Sequence, residues 1–230
     1  LNNPSPDRTP LLGIIGGMGT QATACFYEKL HALQKVTVEQ DYINILLYSK
    51  PSVPDRTAFI TGQSTESPLD SLISAARILE SAGASCIAIP CVTSHYFYSD
   101  LSSSVCIPVI NLLEETALAA SERNVRKVCL LATNGTIKGK VFDSAFKKYN
   151  IEICTVTDDA QSCLMELIYN IKCGVPSAND LPEPVKEQAY NAGAEALVLG
   201  CTELCIALDG SSKVINTLDV LAEAALKRLS

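Results

Sequence analysis

Cysteine offers the strongest chemistry in this chain. Cys91 and Cys201 each follow a short apolar run and open a turn, in Pro90-Cys91-Val92-Thr93 and Gly200-Cys201-Thr202-Glu203. They stand 110 positions apart, as do Gly83 and Gly193, the centres of two Ala-Gly-Ala triplets just upstream. A thiolate is a competent base and a thiol a competent acid. Two of them facing one carbon from opposite sides can take a proton from one face and return a proton to the other. That is the geometry a two-base racemisation or epimerisation needs. One sulfur must be charged and the other protonated at the start of a turnover, so the two sites titrate as a coupled pair. Backbone N–H groups at the start of a following helix are expected to favour the thiolate.

The surrounding pattern supplies a scaffold that could hold two such sites. Leu11–Gly16 is a continuous apolar run, as expected of a strand buried on both faces. A glycine-rich turn and a helix to about residue 35 follow. Strands are expected at 42–48, 85–90 and 105–110, with a loop at 51–56 and helices at 67–82 and 112–122. The pattern then restarts. Strands are expected at 126–132, 151–156, 196–200 and 212–215, a turn at 133–136, and helices at 138–149, 160–173, 183–192 and 217–229. Alternation of this kind predicts an α/β fold with mainly parallel sheets.

The halves share more than rhythm. Val109-Ile110-Asn111 recurs as Val214-Ile215-Asn216, and Gly19-Thr20 as Gly135-Thr136. The landmarks keep their order, which points to two pseudo-symmetric α/β lobes related by duplication. The first lobe is expected over residues 1–110, with the C-terminal helix 217–230 a candidate to complete it, and the second over 111–216. Ligands of open α/β sheets bind beyond the carboxyl ends of the strands, where both cysteines fall. The active site is therefore expected in the cleft between the lobes.

Composition narrows the class. The chain has 230 residues, 47% apolar and 19% charged, with a net charge of −7. No long basic run invites nucleic acid or an acidic membrane, and no apolar stretch approaches a membrane span. The first ten residues are polar, without the apolar centre of a signal peptide; residue 1 is Leu rather than Met, which leaves room for residues upstream. The ten cysteines form no C-x-x-C pair, and His31 and His95 lack metal-ligand spacing. A metal is not expected, and free thiols in a reducing, cytoplasmic setting are. The turn at Gly16–Gly19 lacks the spacing of a dinucleotide loop.

These stretches together resemble the aspartate/glutamate racemase family, and its aspartate racemase branch in particular. The resemblance is carried by Gly13-Ile14-Ile15-Gly16-Gly17-Met18-Gly19, Pro54-Asp55-Arg56-Thr57, Pro90-Cys91-Val92-Thr93-Ser94-His95, Leu131-Ala132-Thr133 with Gly135-Thr136-Ile137-Lys138, and Gly200-Cys201-Thr202-Glu203-Leu204. It implies a racemase that needs no cofactor, works on a small amino acid or dicarboxylate through Cys91 and Cys201, and often forms a homodimer. It also implies that Arg56 holds a substrate carboxylate, that Lys172 is a second cationic anchor, and that Thr93, Thr133 and Thr202 offer hydroxyls. Met18, Gly19 and Ser49 would line the cleft. Guanidinium suits its part because it can donate two parallel hydrogen bonds. Each threonine could equally cap a helix, and each cation could serve in a surface ion pair.

One residue departs from the family pattern. Asn usually follows the first cysteine, and here Val92 stands there, with no amide to offer. Two alternatives stand beside racemisation: a thiol-dependent isomerase or decarboxylase of a small carboxylate, needing one essential cysteine, and, because of Val92, an amino-acid binder without turnover. His95, four residues after Cys91, either tunes that thiol or simply begins the next helix.

Overall fold

All residues of β1 (Leu11–Gly16) after the first are buried, as its uniformly apolar sequence requires. In a computed structural model, which describes residues 10–175, 180–208 and 213–229, β1 lies between β2 (Asn44–Ser49) and β3 (Cys86–Ala88) in a parallel sheet. The second sheet is also parallel. It runs in the order β5-β4-β6-β7, from β4 (Lys127–Ala132), β5 (Glu152–Cys154), β6 (Ala196–Gly200) and β7 (Val214–Asn216). The fourth place in the first sheet is taken by Val109, which makes one parallel bridge to Ile87. The two sheets thus share a strand order, β2-β1-β3-Val109 against β5-β4-β6-β7.

The expected strand at 105–110 shrinks to that bridge for a local reason. The N–H groups of Cys106 and Ile107 go to Glu80 Oε1, at 2.5 and 3.2 Å, and Pro108 has none to give. Only Pro108 O and Ile110 N still bond β3, through Ile87. At the matching place in the second lobe, β7 forms; Ser212 of the expected strand 212–215 lies outside the described residues.

Helices cover the sheets. They are α1 (Thr20–Leu33), α2 (Arg56–Thr61), α3 (Leu69–Ser81), α4 (Tyr98–Ser102) and α5 (Leu112–Glu122), then α6 (Asn134–Lys138), α7 (Asp143–Lys148), α8 (Asp158–Lys172), α9 (Glu183–Asn191), α10 (Leu204–Ala207) and α11 (Thr217–Leu229). The expected turn at 133–136 is the capped start of α6, with Thr133 Oγ1 accepting the Thr136 N–H. The expected helix 138–149 breaks after α6, where Lys140 takes a left-handed φ of 49°. Among the described residues no helix is long and apolar enough to cross a membrane.

The repeated Val-Ile-Asn motif has one job in both lobes. Asn111 Oδ1 accepts the N–H groups of Leu113 and Glu114, and Asn216 Oδ1 those of Leu218 and Asp219. Each Asn caps the helix that follows the sheet, a contribution of about 1 kcal/mol. The helix capped by Asn216, α11, packs on α1 and α5 and reaches strands of both sheets. Its Leu218, Leu221, Ala222 and Ala225 are fully buried in a core shared by the two lobes, with Leu12, Ile14 and Phe26 from one and Leu130, Phe142 and Leu199 from the other. A smaller core under α3 holds Ile15, Leu72, Leu79 and Ile87.

Candidate active site

Both parallel sheets deliver a cysteine at the carboxyl end of a strand. Ile89 and Pro90 lead from β3 to Cys91, and Cys201 follows β6 directly. A 3-10 turn (Thr93–Phe97) comes after Cys91, and the single turn of α10 after Cys201. The two cysteines are only 5% and 4% exposed.

The two turns touch. Thr202 Oγ1 donates to Pro90 O at 3.2 Å, joining the neighbour of one cysteine to the neighbour of the other. Beside that contact lies a carboxylate that sequence reasoning did not single out. Glu203 is buried; its Oε1 accepts the Gly19 N–H at 3.1 Å, and its Oε2 accepts the Cys201 thiol at 2.9 Å. A Cβ added at Gly19 would fall 2.8 Å from Glu203 Oε1, so only glycine allows that approach.

This carboxylate reverses one expectation. Burial first, and the Glu203 charge second, push the Cys201 thiol well above its usual range, while Lys172 pulls the other way. A backbone N–H at Glu203 lowers it as well, but burial and the neighbouring carboxylate prevail. Burial and the adjacent carboxylate both favour the thiol form of Cys201.

Lys172 ends α8. Burial works against its charge, but Glu203, Cys201 and Cys91 outweigh burial and raise its pKa. It is an ammonium within the field of both thiols. Among the described residues it joins none of the direct ion pairs, and its Nζ lies 5.2 Å from the centre of the Tyr169 ring.

Arg56 opens α2 behind the Asp55 cap. Its guanidinium is buried and turned to the backbone: Nη1 donates to Val53 O and Pro54 O at 3.2 and 3.0 Å, and Nη2 to Met18 O at 3.5 Å. Nε is buried without a hydrogen-bond partner among the described residues.

The threonines expected as separate donors are joined. Thr93 Oγ1 lies 3.1 Å from Thr133 Oγ1 and 3.0 Å from Thr136 Oγ1, and these last two are 3.2 Å apart. Three hydroxyl protons close a three-membered ring of hydrogen bonds, with Thr93 from one lobe and Thr133 and Thr136 from the other. Thr136 was not anticipated. The ring lies where the lobes meet, since α2 and α6 pack together there. A Cβ at Gly135 would fall 2.8 Å from Thr57 Cα, so glycine sets that close approach.

Met18 and Gly19 form the turn after β1, joined by a cis peptide bond, and Met18 Sδ accepts the Ser94 hydroxyl at 3.5 Å. Ser49 ends β2 opposite Gly16 and is exposed, on the far side of β1 from Cys91. Val92 turns inward and joins the shared apolar core, so it faces packing rather than a ligand. His95 lies in the 3-10 turn, with Nδ1 2.9 Å from Cys91 O and Nε2 3.3 Å from Ile110 O. Burial lowers its pKa against the pull of those carbonyls. The neutral ring has one proton to donate, to the Cys91 carbonyl or to the Ile110 carbonyl according to its tautomer. His95 thus meets the backbone rather than the thiol.

Comparison with known proteins accords with this geometry. The model of the Asp/Glu/hydantoin racemase family matches residues 15–225. The chain is 26% identical, over 96% of its length and 97% of the other's, to the broad specificity amino-acid racemase RacX of Bacillus subtilis. Its fold is similar to that of the aspartate racemase of Picrophilus torridus, with a TM-score of 0.86, 28% identity, and coverage of 96% of this chain and 94% of that one. An aspartate racemase homologue from Pyrococcus horikoshii gives a TM-score of 0.73, 25% identity, and coverage of 95% and 98%. The shared strand order, the paired strand-end cysteines and a family match across nearly the whole length lead to one conclusion: the chain belongs to the Asp/Glu/hydantoin racemase family.

Proposed function

We propose that this protein racemises a free amino acid, aspartate first among the candidates, by two-base proton transfer between Cys91 and Cys201 without a cofactor. The observation that carries the reading is the 3.2 Å bond from Thr202 to Pro90, which docks the two cysteine-bearing turns on one another. The family match supports the reaction class. The names of two similar proteins, an aspartate racemase and a broad specificity amino-acid racemase, support the substrate class.

In this reading Cys91 acts first as thiolate and Cys201 as thiol. The Cys91 sulfur takes the α-proton, and the C–H electron pair passes into the carbanion and its carboxylate. Cys201 then gives its proton to the opposite face of the carbon. One C–H bond breaks and one forms, and the negative charge moves from Cys91 to Cys201. The assignment of the first donor rests on the Glu203 carboxylate beside Cys201. The Lys172 ammonium stabilises the charge that grows on the substrate carboxylate, and the buried Nε of Arg56, which has no other partner, supplies a further donor.

Single variants test the proposal. Cys91→Ser and Cys201→Ser are each expected to lose racemisation of aspartate by at least about a thousandfold, as removal of a general acid or base does. Full activity in either variant contradicts a two-base mechanism and favours chemistry that needs one cysteine.

A further inference from the structure

Glu203 is placed as a bound ligand would be. Its carboxylate receives a backbone N–H from the turn after β1, at 3.1 Å, and a thiol from the turn after β6, at 2.9 Å. The Lys172 side chain stands over the same glycine: its Cγ lies 3.8 Å from the position a Gly19 Cβ would take, and Glu203 Oε1 2.8 Å from it. One N–H, one S–H and one ammonium field converge on a buried carboxylate. These groups belong to residues expected on other grounds to meet the substrate: Gly19, Lys172 and Cys201.

We infer that Glu203 fills a carboxylate subsite of the cleft, so that the molecule holds its own carboxylate where a ligand carboxylate binds. A ligand carboxylate must displace that of Glu203 before it can reach Gly19 N–H. The identity of the residue at 203 then sets how strongly the cleft takes acidic ligands. A dicarboxylate competes with an internal carboxylate for two donors and a cation, whereas a ligand with one carboxylate can leave Glu203 in place. Tethering favours the internal group, because its carboxylate arrives with no loss of translational freedom. The subsite is a property of the resting protein and does not require racemisation.

The energetics of removal make the subsite testable. Deleting the Glu203 side chain leaves Gly19 N–H without its partner and Lys172 without its strongest stabilising charge. A buried cation deprived of its anion recruits another. Glu203→Ala is therefore expected to bind a small free carboxylate in the vacated space.

The experiment measures thermal stabilisation of the intact chain by sodium acetate and by sodium succinate, with sodium chloride at equal ionic strength as the reference. Wild type is expected to respond weakly to acetate. Glu203→Ala is expected to bind acetate at least roughly tenfold more tightly, the size of one charge-assisted hydrogen bond. The gain should vanish in Glu203→Ala/Lys172→Met. Acetate should also slow alkylation of Cys201 in Glu203→Ala, because the added carboxylate restores the negative neighbour of the thiol. Equal acetate affinity in wild type and Glu203→Ala, or a response matched by chloride, overturns the inference. Should Glu203→Ala fail to fold, Glu203→Gln replaces it. The uncharged amide is displaced more readily, so succinate should bind more tightly than to wild type, and no gain overturns the inference. None of these readouts depends on turnover, so an inactive protein with a carboxylate-binding Glu203→Ala variant would sink the racemase reading alone.

Discussion

The Cys201 thiol donates to Glu203 Oε2 across 2.9 Å, with both side chains buried. The contact breaks the symmetry that duplication gives the two cysteines. A carboxylate next to a thiol opposes formation of a second negative charge, so it favours the thiol form of Cys201. Replacing Glu203 with Gln keeps the shape and removes the charge. The Cys201 pKa is then expected to fall toward the ordinary thiol value, with burial alone left to oppose Lys172. Peptide-resolved alkylation at pH 8 should modify Cys201 about tenfold faster in Glu203→Gln than in wild type, since one pKa unit is a factor of ten in thiolate. Equal rates would mean that burial alone holds the proton.

Buried thiols also tie stability to alkaline pH. Burial pushes Cys129 up to about 12, and Cys205 up to about 12 against the hydroxyl of Thr217; Cys201 is raised in the same direction. An unfolded chain ionises its thiols from about pH 8.5 upward. Between that pH and the folded values the native state holds more protons than the unfolded state, so stability falls as pH rises. It is fully present below about pH 8.5 and lost through about pH 12. A single group contributes a slope of about 1.4 kcal/mol per pH unit within that window. Urea unfolding at pH 7.5 and pH 10 should therefore show a marked loss, made shallower by Cys205→Ala. A flat profile would contradict the burial of these thiols.

The ring of Thr93, Thr133 and Thr136 joins the lobes beside the cleft. Thr136→Val keeps the volume and removes one hydroxyl from the ring. Two contacts are lost, and the hydroxyl that donated to Thr136 must find another acceptor. The expected cost is about 1–2 kcal/mol of unfolding free energy, read from chemical denaturation. No loss would indicate that the hydroxyls gain nothing from the ring.

Features that depend on local sequence could be read directly. Cys91 and Cys201 stood out because each ends a short apolar run at matched spacing, and Asn111 and Asn216 because their motif repeats; that both cap a helix came only from the structure. The strand at 105–110 was overestimated because its N–H groups answer to Glu80, 26 positions away at Cys106. Glu203 lay in a quoted motif, yet its part escaped notice: a carboxylate in a turn reads as solvated, and its partner Gly19 is 184 positions distant. Thr136 was missed for the same reason, since its hydroxyl meets that of Thr93, 43 positions away, only in the folded chain. The inward course of Val92 was equally invisible, because nothing beside Cys91 announces which side of the turn faces the core.

Proton exchange at the α-carbon tests the central claim most directly. The protein is incubated with L-aspartate, and separately with D-aspartate, in heavy water, and both enantiomers are followed by chiral separation with mass detection. Two-base transfer by Cys91 and Cys201 predicts inversion in both directions, with deuterium entering the α-carbon of the inverted product from the solvent-exchanged thiol. Neither inversion nor α-deuterium with either enantiomer would contradict racemisation of aspartate by this protein.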